Sequence, residues 1–273
     1  MGPVLNLPPL LQATHPVPAA AVTLLVGAVV AARGAGVAGT ALATASTLAG
    51  QLSVGWSNDY LDREEDAAAG RRDKPIPAGR IRPRAVWRSA LVAFPACLGL
   101  SVPLGVPEVA VMAVAVGSAW TYNLGLKRTF LSWLPYAVSF GLAPVYIWLA
   151  SQEGLPPGWV VAGAALLGLA GHLTNVLPDI EADRARGVRG LPHRLGPRPS
   201  LALAAVALGA TVGLVLRFSD RVGPATLVGG AVAATLTAAL LVAGVVRRTR
   251  LAFLLTIAAA AATVGTFLLS AAD

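Results

Sequence analysis

Apolar residues run through this chain in long, nearly unbroken blocks, with no alternation and no return every third or fourth position. Nine blocks approach the length of a membrane-spanning helix: roughly 16–32, 36–57, 85–106, 107–122, 130–150, 157–177, 199–216, 223–246 and 251–271. A helix rising 1.5 Å per residue needs about 20 residues to cross the hydrocarbon core of a bilayer, with a range near 17–25. The first and fourth blocks are short by that measure. None carries an acidic residue deep within it. The pattern predicts an all-α membrane protein of nine transmembrane helices, with the polar residues gathered between them.

Composition and charge sharpen that reading. Only 12% of the 273 residues are charged, about half the usual share in a soluble domain. The net charge of +8 would suit a nucleic-acid binder if it were spread over a surface, but 18 of the 21 Lys and Arg fall in or beside the loops after the second, fourth, sixth and eighth blocks. Arg33, Arg217 and Arg221 are the three on the other side. That asymmetry is the positive-inside bias. It predicts a cytoplasmic N-terminus, an external C-terminus, a place in a bacterial cell membrane and no nucleic-acid partner. Residues 1–15 lack the basic start of a secretory signal. Cys97, the one cysteine, is read as core packing.

Against this apolar background one polar phrase is written twice. Ser57-Asn58-Asp59-Tyr60-Leu61-Asp62-Arg63-Glu64-Glu65-Asp66 is echoed by Thr174-Asn175-Val176-Leu177-Pro178-Asp179-Ile180-Glu181-Ala182-Asp183. Each copy closes a predicted span on the cytoplasmic side, four spans apart. Gly70 follows Asp66 at the same distance as Gly187 follows Asp183, and a basic, proline-containing stretch follows each. The chain therefore reads as a single domain over 1–273 made of a parallel internal repeat, halves roughly 16–150 and 157–271, enclosing a central cavity with a site at the repeat interface.

On a helix, residues four apart lie on one face. Asn58, Asp62 and Asp66 form one such column, and Asn175, Asp179 and Asp183 another. Columns of oxygen ligands at a membrane face suit hard cations, and with neither Cys nor His beside the motifs they select Mg2+ or Mn2+ over zinc. Asp59, which has Val176 as its counterpart, is read either as a ligand or as a group that orients one. Glu64, Glu65 and Glu181 are read as charges off these faces, paired with Arg. Pro178 predicts a kink near Thr174, or a separate short helix starting there.

In these motifs the chain resembles the UbiA superfamily of intramembrane prenyltransferases. Asn58-Asp59-x-x-Asp62-x-x-x-Asp66 and Asp179-x-x-x-Asp183 are similar to its two Asp motifs, Lys74-Pro75-Ile76-Pro77-Ala78-Gly79 resembles its proline-rich loop, and the likeness covers nearly the whole chain. It implies Mg2+-dependent transfer of a prenyl group from an isoprenyl diphosphate to a lipid-soluble acceptor, an aromatic or quinone precursor being the expected class. The metal would be held by Asn58, Asp59, Asp62, Asp66, Asp179 and Asp183. The family's Tyr and Lys at the end of the fourth span correspond to Tyr122 and Lys127, one residue further apart than in the family. Its basic residue at the start of the first helix has no match here but His15, read as incidental.

In the mechanism this implies, Lys127 and Lys74, helped by one or more of Arg63, Arg128 and Arg184, stabilise the departing pyrophosphate, while Asn175 turns toward the cavity. Tyr136 and Phe140, at mid-depth, are candidates to stabilise an allylic cation. The rival readings are an intramembrane terpene cyclase, which the metal site alone does not separate, and a transporter, which acids confined to one membrane face disfavour.

Overall fold

The structure is a computed structural model that describes residues 7–185, 187–219 and 221–272. Among the described residues, nine helices of 17 residues or more lie over the nine apolar blocks: α1 (Pro16–Ala32), α2 (Gly36–Leu61), α3 (Pro83–Ser101), α4 (Val106–Leu124), α5 (Leu134–Ala150), α6 (Gly158–Asn175), α7 (Pro197–Phe218), α8 (Pro224–Val245) and α9 (Thr249–Ala272). Pro occupies one of the first two positions of α1, α3, α4, α5, α7 and α8, where its missing N–H and fixed φ cost a helix nothing. By length and composition, α5 to α9 are long and apolar enough to cross a membrane, and α1 is apolar but shorter. These helices make the chain an integral membrane protein.

Packing follows the chain order. α2 lies along α3, α5 along α6, α6 along α7 and α8 along α9, and α9 returns to touch α1. The interior has two main centres. One, around Leu173, Leu208, Leu240 and Ala259, joins α6 to α9; the other, around Val30, Ala43, Cys97, Met112 and Tyr146, joins α1 to α5. The Cys97 thiol donates to the Phe94 carbonyl inside that second centre, as a packing residue. Helices with no polar face approach closely where side chains are small. At Gly168 of α6 a Cβ would stand 2.5 Å from the Tyr136 carbonyl oxygen of α5, and this contact brings Tyr136 against the start of the second motif.

An apolar cavity of about 150 Å3 lies between α1, α5, α6, α7 and α9, with Phe140, Ile147, Trp148 and Phe267 in its wall. None of its lining residues belongs to either Asp motif.

The two motifs end their helices differently. After Leu61 the helical ladder continues: the Asp62 N–H donates to the Asn58 carbonyl at 2.9 Å and the Asp66 N–H to the Asp62 carbonyl at 2.8 Å, which carries the register into a short helix, Arg63–Ala68. After Asn175 the ladder stops. Pro178 has no N–H to donate, and the chain takes a 3-10 turn at Leu177–Asp179 before the short helix Ile180–Ala185.

Candidate active site

The first motif is held from below by the N-terminal segment. At Gly55 a Cβ would meet Thr14 backbone atoms at 2.5–2.8 Å, and the Trp56 indole donates to the Leu10 carbonyl at 2.8 Å. This close approach sets His15 Nε2 3.7 Å from Asp59 Oδ1. On the other side α4 supplies Asn123, buried in the bundle, whose amide donates to the Val54 carbonyl at 2.9 Å and to Ser57 Oγ at 2.8 Å. Asn58 in turn donates to Asn123 Oδ1 at 3.3 Å and to Asp62 Oδ2 at 3.1 Å. Asn58 is thus oriented by a buried amide that no sequence motif marks.

Each aspartate of the two motifs meets a base. The loop after Asp66 turns back so that Lys74 Nζ lies 3.0 Å from Asp59 Oδ1 and 2.7 Å from Asp66 Oδ2. Both carboxylates are buried, at 2% and 3% exposure. Burial pulls the Lys74 pKa down while Asp59 and Asp66 pull it up, and the carboxylates prevail, so the net shift is upward. Lys127, carried by the turn after α4, forms an ion pair with Asp62. Arg71 reaches from the first motif's loop to the second motif: its Nη1 is 3.2 Å from Asp179 Oδ1, while its Nε and Nη2 grip Asp73 at 3.0 and 3.1 Å. These bonds hold the Asp73 carboxyl below its usual range and raise Arg71. Asp183 Oδ2 lies 3.2 Å from His193 Nε2. The two motif loops are therefore tied together, and Lys74, Lys127, Arg71 and His193 stand where the acids would otherwise repel one another.

Several expectations are met in altered form. Asn58 and Asp62 keep their predicted face, but Asp66 joins Asp59, the residue outside the column, around Lys74. The second column is broken. Asn175 is exposed and donates to the Tyr136 hydroxyl at 3.3 Å, and Asp179, half exposed, sits in the 3-10 turn rather than one helical turn above it. Glu65 forms an ion pair with Arg128, and Glu64 with Arg63. Among the described residues no three His, Cys, Asp or Glu side chains gather around one point, so the predicted ligands do not form a cage of their own.

Two basic residues expected at the diphosphate are turned elsewhere. Arg63 Nη1 donates to the Tyr60 carbonyl at 2.9 Å, and its guanidinium lies over the Tyr60 ring, 4.3 Å from the centroid. The Arg184 Nε donates to the His193 carbonyl at 3.0 Å and fastens the following loop. Tyr122 stands beside Tyr136, which accepts from Asn175 of the second motif. Its ring meets Tyr136 edge-on at 5.3 Å and His172 at 5.7 Å. Arg186, counted among the cytoplasmic basic residues, lies outside the described residues.

The expectation of no histidine near the motifs is overturned. All three stand at the site: His15 beside Asp59, His193 on Asp183, and His172 buried between Tyr122 and Tyr136, with its Nε2 3.0 Å from Ser132 Oγ. His172 stands two residues before the second motif and is legible beside it in the sequence, whereas His15 and His193 reach the motif acids only through the fold.

The chain is similar to known proteins in sequence and in fold. The sequence model of the UbiA prenyltransferase family matches residues 20–260. The digeranylgeranylglyceryl phosphate synthase of Methanopyrus kandleri is 32% identical over 151 residues, 55% of each chain. The bacteriochlorophyll synthase 33 kDa chain of Cereibacter sphaeroides is 32% identical over 205 residues, 71% of this chain and 67% of that one. Thus the chain spans little more than half the length of the archaeal synthase. A UbiA homolog from Archaeoglobus fulgidus, solved bound to GPP and Mg2+, superposes with a TM-score of 0.69 at 16% identity, covering 94% of this chain and 99% of that one; it shares the fold. The chain belongs to the UbiA prenyltransferase family.

Proposed function

We propose that this protein transfers a prenyl group from an isoprenyl diphosphate to a lipid-soluble acceptor, at a cytoplasmic site built from both Asp motifs of a nine-span chain. The observation that carries this reading is the acid–base network. Carboxylates from two distant motifs are drawn to one membrane end, and each is held by a basic side chain. A diphosphate is the ligand that would use both sets of charge.

The donor set suits a hard cation. Asp59 Oδ2 is buried without a hydrogen-bond partner, and the motif donors are carboxylate and amide oxygens. Mg2+ keeps waters and takes one or two carboxylates together with substrate phosphates rather than an all-protein cage. Asp59, Asp62, Asp66, Asp179 and Asp183, with Asn58, are the groups that would hold it. Bound there, Mg2+ supplies positive charge to the leaving pyrophosphate.

The chain's own residues do the rest. Lys74 and Lys127, released from their carboxylates, are within reach of the phosphate oxygens and share their charge, so the allylic C–O bond breaks against a prearranged field. Arg71 and Arg128, at the rim, hold the loops together. Tyr122 and Tyr136 stand edge to face beside Asn175 of the second motif, and rings stabilise a developing cation through their faces. The apolar cavity beside Phe140 accepts the prenyl tail and excludes water from the cation. The acceptor then forms its bond to the allylic carbon and loses a proton. The relatives named above support the class of reaction, and the acceptor remains to be measured.

Mass spectrometry of lipids from cells with and without the gene tests this proposal. A lipid that gains one prenyl unit only when the gene is present supports transfer. A new cyclic hydrocarbon with no prenylated acceptor would replace transfer with cyclisation.

A further inference from the structure

The charge displaced from the diphosphate site gathers at a second place. Arg63, turned away from the motif acids, faces a pocket that it shares with Tyr60, Arg82, Pro83 and Arg84. This pocket lies where the end of α2 meets the start of α3, with a volume of about 460 Å3. Arg63 is the one arginine of the three with an acidic partner, Glu64 at 2.6 Å; among the described residues the side chains of Arg82 and Arg84 make no hydrogen bond or ion pair, the Arg82 carbonyl alone accepting from the Ala85 N–H at the start of α3. Both are exposed. The pocket has one ring in its wall, Tyr60, and behind it Tyr60 stacks on Trp87 at 4.7 Å and Trp87 leans on Trp120 at 5.6 Å.

The helix below the pocket continues the pattern. On α3 the exposed residues Arg84 and Arg88 stand one turn apart, and one turn deeper come Leu91 and Val92, which are 48% and 67% exposed. A basic head, an aromatic shelf at the interface and an apolar stripe toward the membrane interior match the build of one amphiphile. Guanidinium groups form paired hydrogen bonds with phosphate oxygens, basic pockets between helices on the cytoplasmic side take anionic headgroups, and aromatic rings settle at headgroup depth.

We propose that this pocket is a headgroup site for an anionic phospholipid, with Arg82, Arg84 and Arg63 on its phosphate and an acyl chain along Leu91 and Val92. A soluble anion would satisfy the arginines alone, whereas an anionic phospholipid satisfies them from within the bilayer that the exposed Leu91 and Val92 face on the same helix. The pocket takes Tyr60 and Arg63 from the first motif but none of its aspartates, and it does not depend on the transfer reaction. It gives the basic loops a ligand of their own beyond orienting the chain.

Native mass spectrometry of the purified protein, titrated with phosphatidylglycerol or phosphatidylcholine, tests this. Wild type should retain phosphatidylglycerol in preference to phosphatidylcholine. Each basic residue near an anionic lipid contributes about 1 kcal/mol, so the Arg82→Gln/Arg84→Gln double variant should bind phosphatidylglycerol about thirty-fold more weakly. Neither side chain bonds to the rest of the protein, and a matched thermal melt confirms that the variant is folded. Arg248→Gln/Arg250→Gln, which removes two exposed arginines elsewhere on the same proposed face, should bind as wild type does. Undiminished binding by the Arg82/Arg84 variant overturns the proposal. So does an equal loss in the control, which would mean diffuse attraction, or full displacement by inorganic phosphate, which would mean a site for a free anion.

Discussion

Replacing Lys74 by Met keeps the length of the side chain, removes its charge and strips two buried carboxylates of their shared cation. Lys74 Nζ is the nearest cation to Asp59, at 3.0 Å, and also lies 2.7 Å from Asp66. Without it, Asp59, 2% exposed and with Oδ2 already lacking a hydrogen bond, keeps only His15 at 3.7 Å. Removing one partner of a buried pair costs about 3–5 kcal/mol, which in a chain of this size lowers Tm by roughly 10 °C. The sign with pH is fixed by the raised pKa of Lys74. A lysine with a raised folded pKa contributes its full stability below its unfolded value, about 10.4, and loses it as pH climbs through the folded value. Between pH 6 and 9 the difference between wild type and Lys74→Met should therefore stay constant, and it should shrink only in strong alkali. Thermal unfolding in detergent with EDTA measures it. Adding Mg2+ should raise Tm more in the variant than in wild type, because the incoming cation no longer competes with an ammonium. Equal melting of the two proteins in EDTA would refute the reasoning about the buried pair. Equal Mg2+ increments would refute the overlap of Lys74 with the metal position.

The same geometry sets three other outcomes. Glu65→Gln, which breaks an exposed ion pair with Arg128 worth at most about 1 kcal/mol, should leave turnover within a few-fold of wild type; a loss matching that of Asp66→Asn would place Glu65 inside the site. Gly168→Ala should lower stability by about 1–3 kcal/mol through the 2.5 Å clash with the Tyr136 carbonyl, and unchanged melting would contradict the close α5–α6 contact. In a Cys97→Ala background, cysteines placed at Ala68 and Ala185 should resist an impermeant thiol reagent in intact cells and react after lysis, while one at Leu155, 72% exposed in the loop between α5 and α6, reacts from outside; labelling of the two motif loops from opposite faces would break the proposed common site.

The helices were legible in the sequence because long apolar blocks bury well only as helices in this setting, and each of α1 to α9 lies within a few residues of one, five of them long and apolar enough to cross a membrane. The first motif was legible for a local reason too: the ladder through Asp62 keeps Asn58 and Asp62 on one face. What was not legible depends on chain reversal. Lys74 reaches Asp59 and Asp66 only because the loop after Gly70 turns back, and no periodicity predicts that convergence. Pro178 signalled a break after Asn175 but not its form, a 3-10 turn that leaves Asp179 at the rim. The positive charge of Arg63 suggested a diphosphate contact, yet the neighbouring Tyr60 ring and Glu64 took it. His15, His193 and Asn123 meet the motifs through tertiary packing, while His172 is already beside the second motif in the sequence.

The central claim is that two motifs more than a hundred residues apart serve one prenyl diphosphate. The direct measurement is pyrophosphate release from an allylic diphosphate by the purified protein in lipid nanodiscs, with acceptor lipids present, comparing wild type with Asp62→Asn and Asp183→Asn, each in Mg2+ and in EDTA. The account predicts Mg2+-dependent release in wild type and a loss of orders of magnitude in both variants, with both still folded. Undiminished release by either variant would contradict it.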